Sequence, residues 1–317
     1  MQRTMDPGRF TSIAMNNKSL PYVSLLALIF GSTLLASRFS IGQFAALTYV
    51  ALRLLLASMC HLLIVAMSGG RRWPRDRRVW RHAPVVGVMG TAIPMSFIVS
   101  SLQYQSSGIT SLLLTAAPAF TVILAHFFLP DEHLNGRKVV GVILAISGAA
   151  GLVIMGENGL PDVQEANPLG YILVITAIFS GSISAVYARR NLLEVDSFDA
   201  ASVRMWTAVL VVLPVSILLA GFDLSRVAVS GYAALLYAAV IGTFGGMLLE
   251  FNILQRFGAT ATAITANLVP IFALIGGWLF LGEEISTGML AAMALIIAGV
   301  TIITSSEEEP LVVPLDS

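Results

Sequence analysis

One cysteine, Cys60, is all that the 317 residues contain. It excludes an internal disulfide and any cysteine-rich metal site. Charge is scarce as well. Asp, Glu, Lys and Arg make up 11% of the chain, against roughly 25% in a soluble domain. The signs balance to a net charge of zero, so no basic surface for nucleic acid is implied. Motifs of chemistry are missing too: there is no H-E-x-x-H, no G-x-S-x-G and no G-x-x-x-x-G-K-[ST]. The sequence therefore calls for no metal and no cofactor. No nucleotide-binding domain is read beside the apolar segments, so direct ATP coupling is not expected.

What is present is apolar side chain, at 56% of the residues. So few charges cannot coat that much apolar matter in water, so the solvent must be lipid. A span needs about 20 apolar residues. Ten candidates are read, at 20–38, 43–67, 83–102, 108–129, 136–156, 168–188, 199–221, 230–254, 260–281 and 286–304. They are too long and too uniformly apolar for barrel strands, so each is expected to be a helix. Residues 20–36 read as a first span, because the small-residue context of a cleavable leader is weak.

Lys and Arg set the orientation. With the N-terminus inside, 14 of the 18 basic residues fall on the cytoplasmic side. They include Arg3, Arg9, Lys18, the six arginines of 71–81, Arg137, Lys138, Arg189, Arg190 and Arg256. Only Arg38 and Arg226 fall outside, and Arg53 and Arg204 lie within spans. Both termini are thus expected in the cytoplasm, with the acidic linker 157–167 outside. The run RRWPRDRRVWR could also contact anionic lipid headgroups.

The chain repeats itself. At an offset of 152, Leu102, Gln103, Pro118, Phe120 and Phe128 meet Leu254, Gln255, Pro270, Phe272 and Phe280. After one dropped residue, Glu132 and Gly148 meet Glu283 and Gly299. Arg53 meets Arg204, and Gly90, Thr91 and Met95 meet Gly242, Thr243 and Met247. The expected organisation is a tail, 1–18; a first unit of five spans, 19–156; a linker, 157–167; a second unit, 168–304; and a tail, 305–317. Five is odd, so the second copy enters the membrane from the opposite side. Inverted repeats of this kind permit two packings about a shared site.

These residues carry a resemblance. YVALRLLLAS and ASVRMWTAV in the second span of each half, the proline-centred fourth spans TSLLLTAAPAFTVILAHFFL and TAITANLVPIFALIGGWLFL, and LGEEISTGMLAAMALIIAGV resemble the drug/metabolite transporter superfamily in its ten-span form with two EamA domains. The likeness covers about 20–304. The first half departs at PDEHLNG, where Pro130 replaces the usual Gly and one residue is inserted. The resemblance implies an all-α integral membrane protein of ten transmembrane helices in two inverted five-helix EamA repeats. It also implies a secondary transporter of small molecules such as amino acids, drugs or other metabolites, often an exporter.

The candidate residues each carry two readings. Arg53 and Arg204 are costly inside a membrane unless paired or hydrated, and serve as substrate contacts or as ties to backbone. Trp206 has no aromatic counterpart, which suits specificity or a lipid interface. Glu250 shares a helical face with Thr243 and could carry a proton, or simply reach water. His126 could titrate near neutrality or sit at the interface. Asn267 could contact substrate or fill the gap left by a proline. Pro118 and Pro270 are candidate hinges or passive bends. The expected partners are a small-molecule substrate, protons and membrane lipids, in a monomer or homodimer of the plasma membrane, for a bacterium the inner one. An intramembrane enzyme or a passive channel is the alternative.

Overall fold

The computed structural model describes residues 19–67, 73–130, 132–161, 163, 165–192 and 195–306. The first tail, Arg71, Arg72, Asp162 and most of the last tail lie outside the described residues. Ten helices are long and apolar enough to cross a membrane. They are α1 (Leu20–Ile41), α2 (Ala46–Met67), α3 (Arg77–Ser101), α4 (Ser107–Phe128), α5 (Gly136–Ile154), α6 (Pro168–Leu192), α7 (Ser197–Ala220), α8 (Val229–Gly258), α9 (Ala261–Leu281) and α10 (Thr287–Ser305). The chain is an all-helical integral membrane protein.

Two boundaries differ from the sequence reading. Helix α3 begins six residues earlier than expected, because Asp76 accepts a hydrogen bond from the Arg78 amide at 2.8 Å and caps the helix. Its first turns are amphipathic, with Val79, Ala83 and Val86 buried and Arg77 and Arg78 exposed. Hydropathy alone discards such a segment. The loop expected between α8 and α9 is also nearly absent. Helical backbone continues to Phe257 and breaks only at Gly258, with φ 85° and ψ −178°. That conformation is essentially restricted to glycine.

The packing follows the repeat. Helix α2 lies against α7 and α5 against α10, so equivalent helices meet. Helix α1 packs on α8 and α9, and α6 on α3 and α4, so each first helix embraces the opposite repeat's third and fourth. At the α5–α10 crossing the backbones nearly touch. A Cβ on Gly299 would meet the Ala145 nitrogen at 2.5 Å, and one on Gly141 would meet the Gly299 carbonyl at 2.6 Å. Small residues at a crossing let van der Waals contact replace the hydrophobic drive that lipid does not supply. Leu112, Leu152, Ile296 and Ile303 are fully buried around it.

Alternating directions give two faces. The arginine face carries the α2–α3, α4–α5, α6–α7 and α8–α9 connections. The linker face carries the α3–α4 and α9–α10 turns and the segment between the repeats.

Candidate functional site

Both third helices depart from α geometry at matching places. Helix α3 has a π segment at Val88–Ala92 and α8 one at Tyr237–Gly245. Wide turns of this kind free backbone groups and occur often at functional sites. Each contains a Gly-Thr pair, Gly90-Thr91 and Gly242-Thr243. In α8 the Thr243 hydroxyl donates to the Ala238 carbonyl at 2.9 Å, five residues back.

The two intramembrane arginines close on these segments, crosswise. Arg53 of α2 donates from Nε to Thr243 Oγ1 at 2.8 Å and from Nη1 to Ser37 Oγ at 3.1 Å. Arg204 of α7 donates from Nε to Thr91 Oγ1 at 2.5 Å and from Nη2 to the Gly90 carbonyl at 2.8 Å. Each repeat thus supplies an arginine to the other repeat's π segment. Neither guanidinium is in an ion pair among the described residues. Neutral acceptors hold them, which spares the charge some of the cost of leaving water.

Between these ties lies a cavity of about 400 Å³. Its polar lining includes Ser37, Arg53, Thr91, Arg204, Thr243 and Glu250, and the rest is largely apolar, as with Phe30, Leu34, Met95 and Val269. Ser111 and Thr115 of α4 and Thr265 of α9 also reach it. A second cavity, about 460 Å³, lies toward the arginine face between α6, α7 and α8. The two share Arg204, Met247, Glu250 and Thr262. Among the described residues Glu250 has no hydrogen-bond or ion-pair partner within the chain, although Arg204 is near enough to attract it. His61 borders the second cavity between the rings of Phe198 and Phe244, both at 5.1 Å.

Of the expected site residues, Arg53, Arg204, Thr243 and Glu250 come together here. The others lie elsewhere. Trp206 lines neither cavity, and its buried Nε1 has no partner among the described residues. Asn267 turns toward α10, with Nδ2 3.5 Å from Thr301 Oγ1. His126 is exposed at the end of α4, with Nδ1 accepting from the Leu134 amide at 3.4 Å. Pro118 follows a break in α4 at Ala116, whereas α9 runs through Pro270 without interruption. Thr91, which accepts from Arg204 and lines the cavity, was not among the expected site residues. Its place opposite Thr243 in the repeat was the signal for it.

Polar contacts join the segments of the linker face. The Ser106 amide donates to the Asn158 carbonyl at 2.8 Å, and the Glu284 amide to the Gly159 carbonyl at 3.0 Å. Ser286 donates to Glu157 at 2.6 Å, and Arg38 to the Leu102 carbonyl at 2.6 Å.

Ten spans in two inverted halves, with a charged cleft at their crossing, define a membrane transport protein. The EamA-like transporter family matches residues 17–154 and, a second time, 168–305, and the chain belongs to that family. Among its relatives is a Salmonella typhimurium protein named "Probable amino-acid metabolite efflux pump". It is 25% identical, over 88% of this chain and 92% of that one. An Escherichia coli K12 protein named as inner membrane transporter YedA is also 25% identical, over 92% and 93%. A solved crystal structure superposes with a TM-score of 0.62 at 21% identity, covering 93% of this chain and all of that one, a likeness of fold alone.

Proposed function

We propose that this transporter exports a small amino-acid-like metabolite by alternating access, with the arginine face in the cytoplasm. One observation carries the reading: the central cavity sits where the halves cross and is bounded by their reciprocal arginine ties. The substrate class is supported by the charges in an otherwise apolar cleft. Glu250 suits an ammonium and the remaining N–H groups of Arg204 suit a carboxylate. The Salmonella relative's name points the same way. Orientation is supported by the bias of basic residues to one face, and a bacterial inner membrane by the name of the Escherichia coli relative.

Glu250 serves as the proton carrier. It lies between the two cavities and is not committed to a partner among the described residues. Protonation removes its attraction for Arg204 and for a substrate ammonium, so proton entry favours substrate release. The paired arginines hold the π segments through the cycle, and Pro118 is the stronger hinge candidate.

Counterflow in proteoliposomes tests the reading. Internal unlabelled amino acid should accelerate uptake of the labelled one, and a proton gradient should drive net flux. Glu250→Gln should abolish the gradient dependence while counterflow persists. A variant that keeps its full response to the gradient removes Glu250 from the coupling. Flux without counterflow would mark a channel, and chemical turnover of the substrate an enzyme.

A further inference from the structure

The two repeats hold equivalent glutamates in different ways. Glu283 lies in the α9–α10 turn and is 4% exposed. It reaches across to the first turn of α4. Its Oε1 accepts from the Ser107 amide at 2.8 Å, and its Oε2 from Ser107 Oγ at 2.7 Å and from the Gly108 amide at 3.3 Å. A carboxylate on the free amides of a helix N-terminus is favourably placed by both hydrogen bonds and the helix dipole. Arg38 adds a nearby positive charge. The contact fastens a turn of the second repeat to the start of the fourth helix in the first, and it does so on the linker face.

The counterpart of Glu283 is Glu132, in the α4–α5 turn on the arginine face. Strict symmetry would seat it on the backbone amides that open α9, after the break at Gly258. Instead its oxygens are held by Lys138 Nζ, at 3.1 Å, and by Arg189 of α6. The second cavity lies on this same side. The backbone differs in register with the glutamates. The α3–α4 connection unwinds over 102–106, whereas its counterpart stays helical as far as Phe257.

We infer that Glu132 and Glu283 are alternating latches, each closing its own face by seating on the N-terminus of the opposite repeat's fourth helix. The structure holds the state with Glu283 seated and Glu132 parked. In the other state Glu132 leaves Lys138 and Arg189 for the amides of α9, Glu283 is released to water, and the linker face opens. Seating both at once would close the cleft on both sides, and releasing both would open a leak. This inference rests on the alternating-access reading.

Double electron–electron resonance on the full chain in lipid nanodiscs tests it. Cys60 is first replaced by Ser. One spin-label pair goes at Gln103 and Thr287 across the linker face, and one at the counterpart positions Gln255 and Gly136 across the arginine face. All four residues are exposed. Glu283→Gln keeps the shape but turns an amide donor toward a backbone donor. It should shift the ratio of states by roughly tenfold, the order expected for charge-assisted hydrogen bonds. The 103–287 distances lengthen and the 255–136 distances shorten together. Arg189→Gln, which removes one of the two groups that park Glu132, should shift both pairs in the same sense as Glu283→Gln. Ser107→Ala, which removes one donor to Glu283, should act as a weaker Glu283→Gln. If Glu283→Gln fails to fold, the other two variants decide. Wild-type protein that exchanges between two distance distributions, with no variant altering their ratio, overturns the latches and leaves alternating access standing. Wild-type and variant proteins fixed in one distribution overturn both. A variant that moves one face without the other also overturns the latches.

Discussion

Arg53 is a cation held inside the helix bundle by neutral acceptors. It is 8% exposed and meets two hydroxyls, Thr243 and Ser37. Thr243→Val keeps the volume and removes the acceptor. It should lower stability by about 1.5–3 kcal/mol, the range for hydrogen bonds to charged groups, and Thr243→Ser should restore most of it. Thermal unfolding of the three proteins in one detergent checks this, and a valine variant as stable as wild type refutes it. The two arginines were legible in the sequence because a charge inside a span stands out and the repeat pairs them. Their partners were not. The offset aligns Arg53 with Arg204 and Thr91 with Thr243, but it cannot say that the contacts run crosswise. That Trp206 and Asn267 line neither cavity was hidden for a related reason. Which face of a helix meets the cavity depends on packing angles and π turns that no periodicity reports.

Glu132, outside the spans, adds a pH signature at this scale. Burial pushes its carboxyl up, but hydrogen bonds from Arg189 and Lys138 and their charges outweigh that, so its pKa lies below the ordinary value. A lowered folded-state pKa stabilises the protein above the unfolded-chain value and ceases to do so as pH falls through the folded one. The stability difference between wild type and Glu132→Gln should therefore be present at neutral pH and vanish in acid. A difference that is constant across this range would contradict the pairing.

At the scale of elements, glycines set two distinct limits. Gly258 alone breaks the backbone between α8 and α9. A Cβ there would meet no atom within 4 Å, so any cost of Gly258→Ala is conformational. We expect about 1–3 kcal/mol, typical for residues forced into sparsely populated backbone regions. Unfolding of the alanine variant at the wild-type temperature would show that the break relaxes freely. Gly299 is limited by space instead, and Gly299→Leu must part α5 from α10. Overpacking typically costs about 1–3 kcal/mol, and here backbone atoms block relief, so loss of folded protein on size-exclusion chromatography is expected. An unaltered elution profile and melting point would refute the crossing. Long apolar runs made the elements themselves readable. The early start of α3 was hidden because its first turns are amphipathic rather than apolar, and the π segments because no local composition encodes them beyond a Gly-Thr pair.

At the scale of the whole molecule, an odd number of helices per repeat makes the halves antiparallel. It follows that the two faces are built from the same parts in different arrangements. The linker face has its turns joined by hydrogen bonds, and on the side of the arginine face a cavity lies among α6, α7 and α8. This architecture was legible, since matched residues at fixed offsets survive even where the two copies differ in conformation. The conformational difference was not legible, because matched residues at an offset do not report how each copy packs. Met247 borders both cavities, and a cysteine in its place reports on access. The most direct measurement is therefore the labelling of Met247→Cys, in a Cys60→Ser background, by a membrane-impermeant maleimide applied from either side of oriented vesicles. The account predicts rapid labelling from the arginine face, and a transfer of reactivity to the linker face when substrate and a proton gradient are supplied. Equal and invariant labelling from both sides would contradict it.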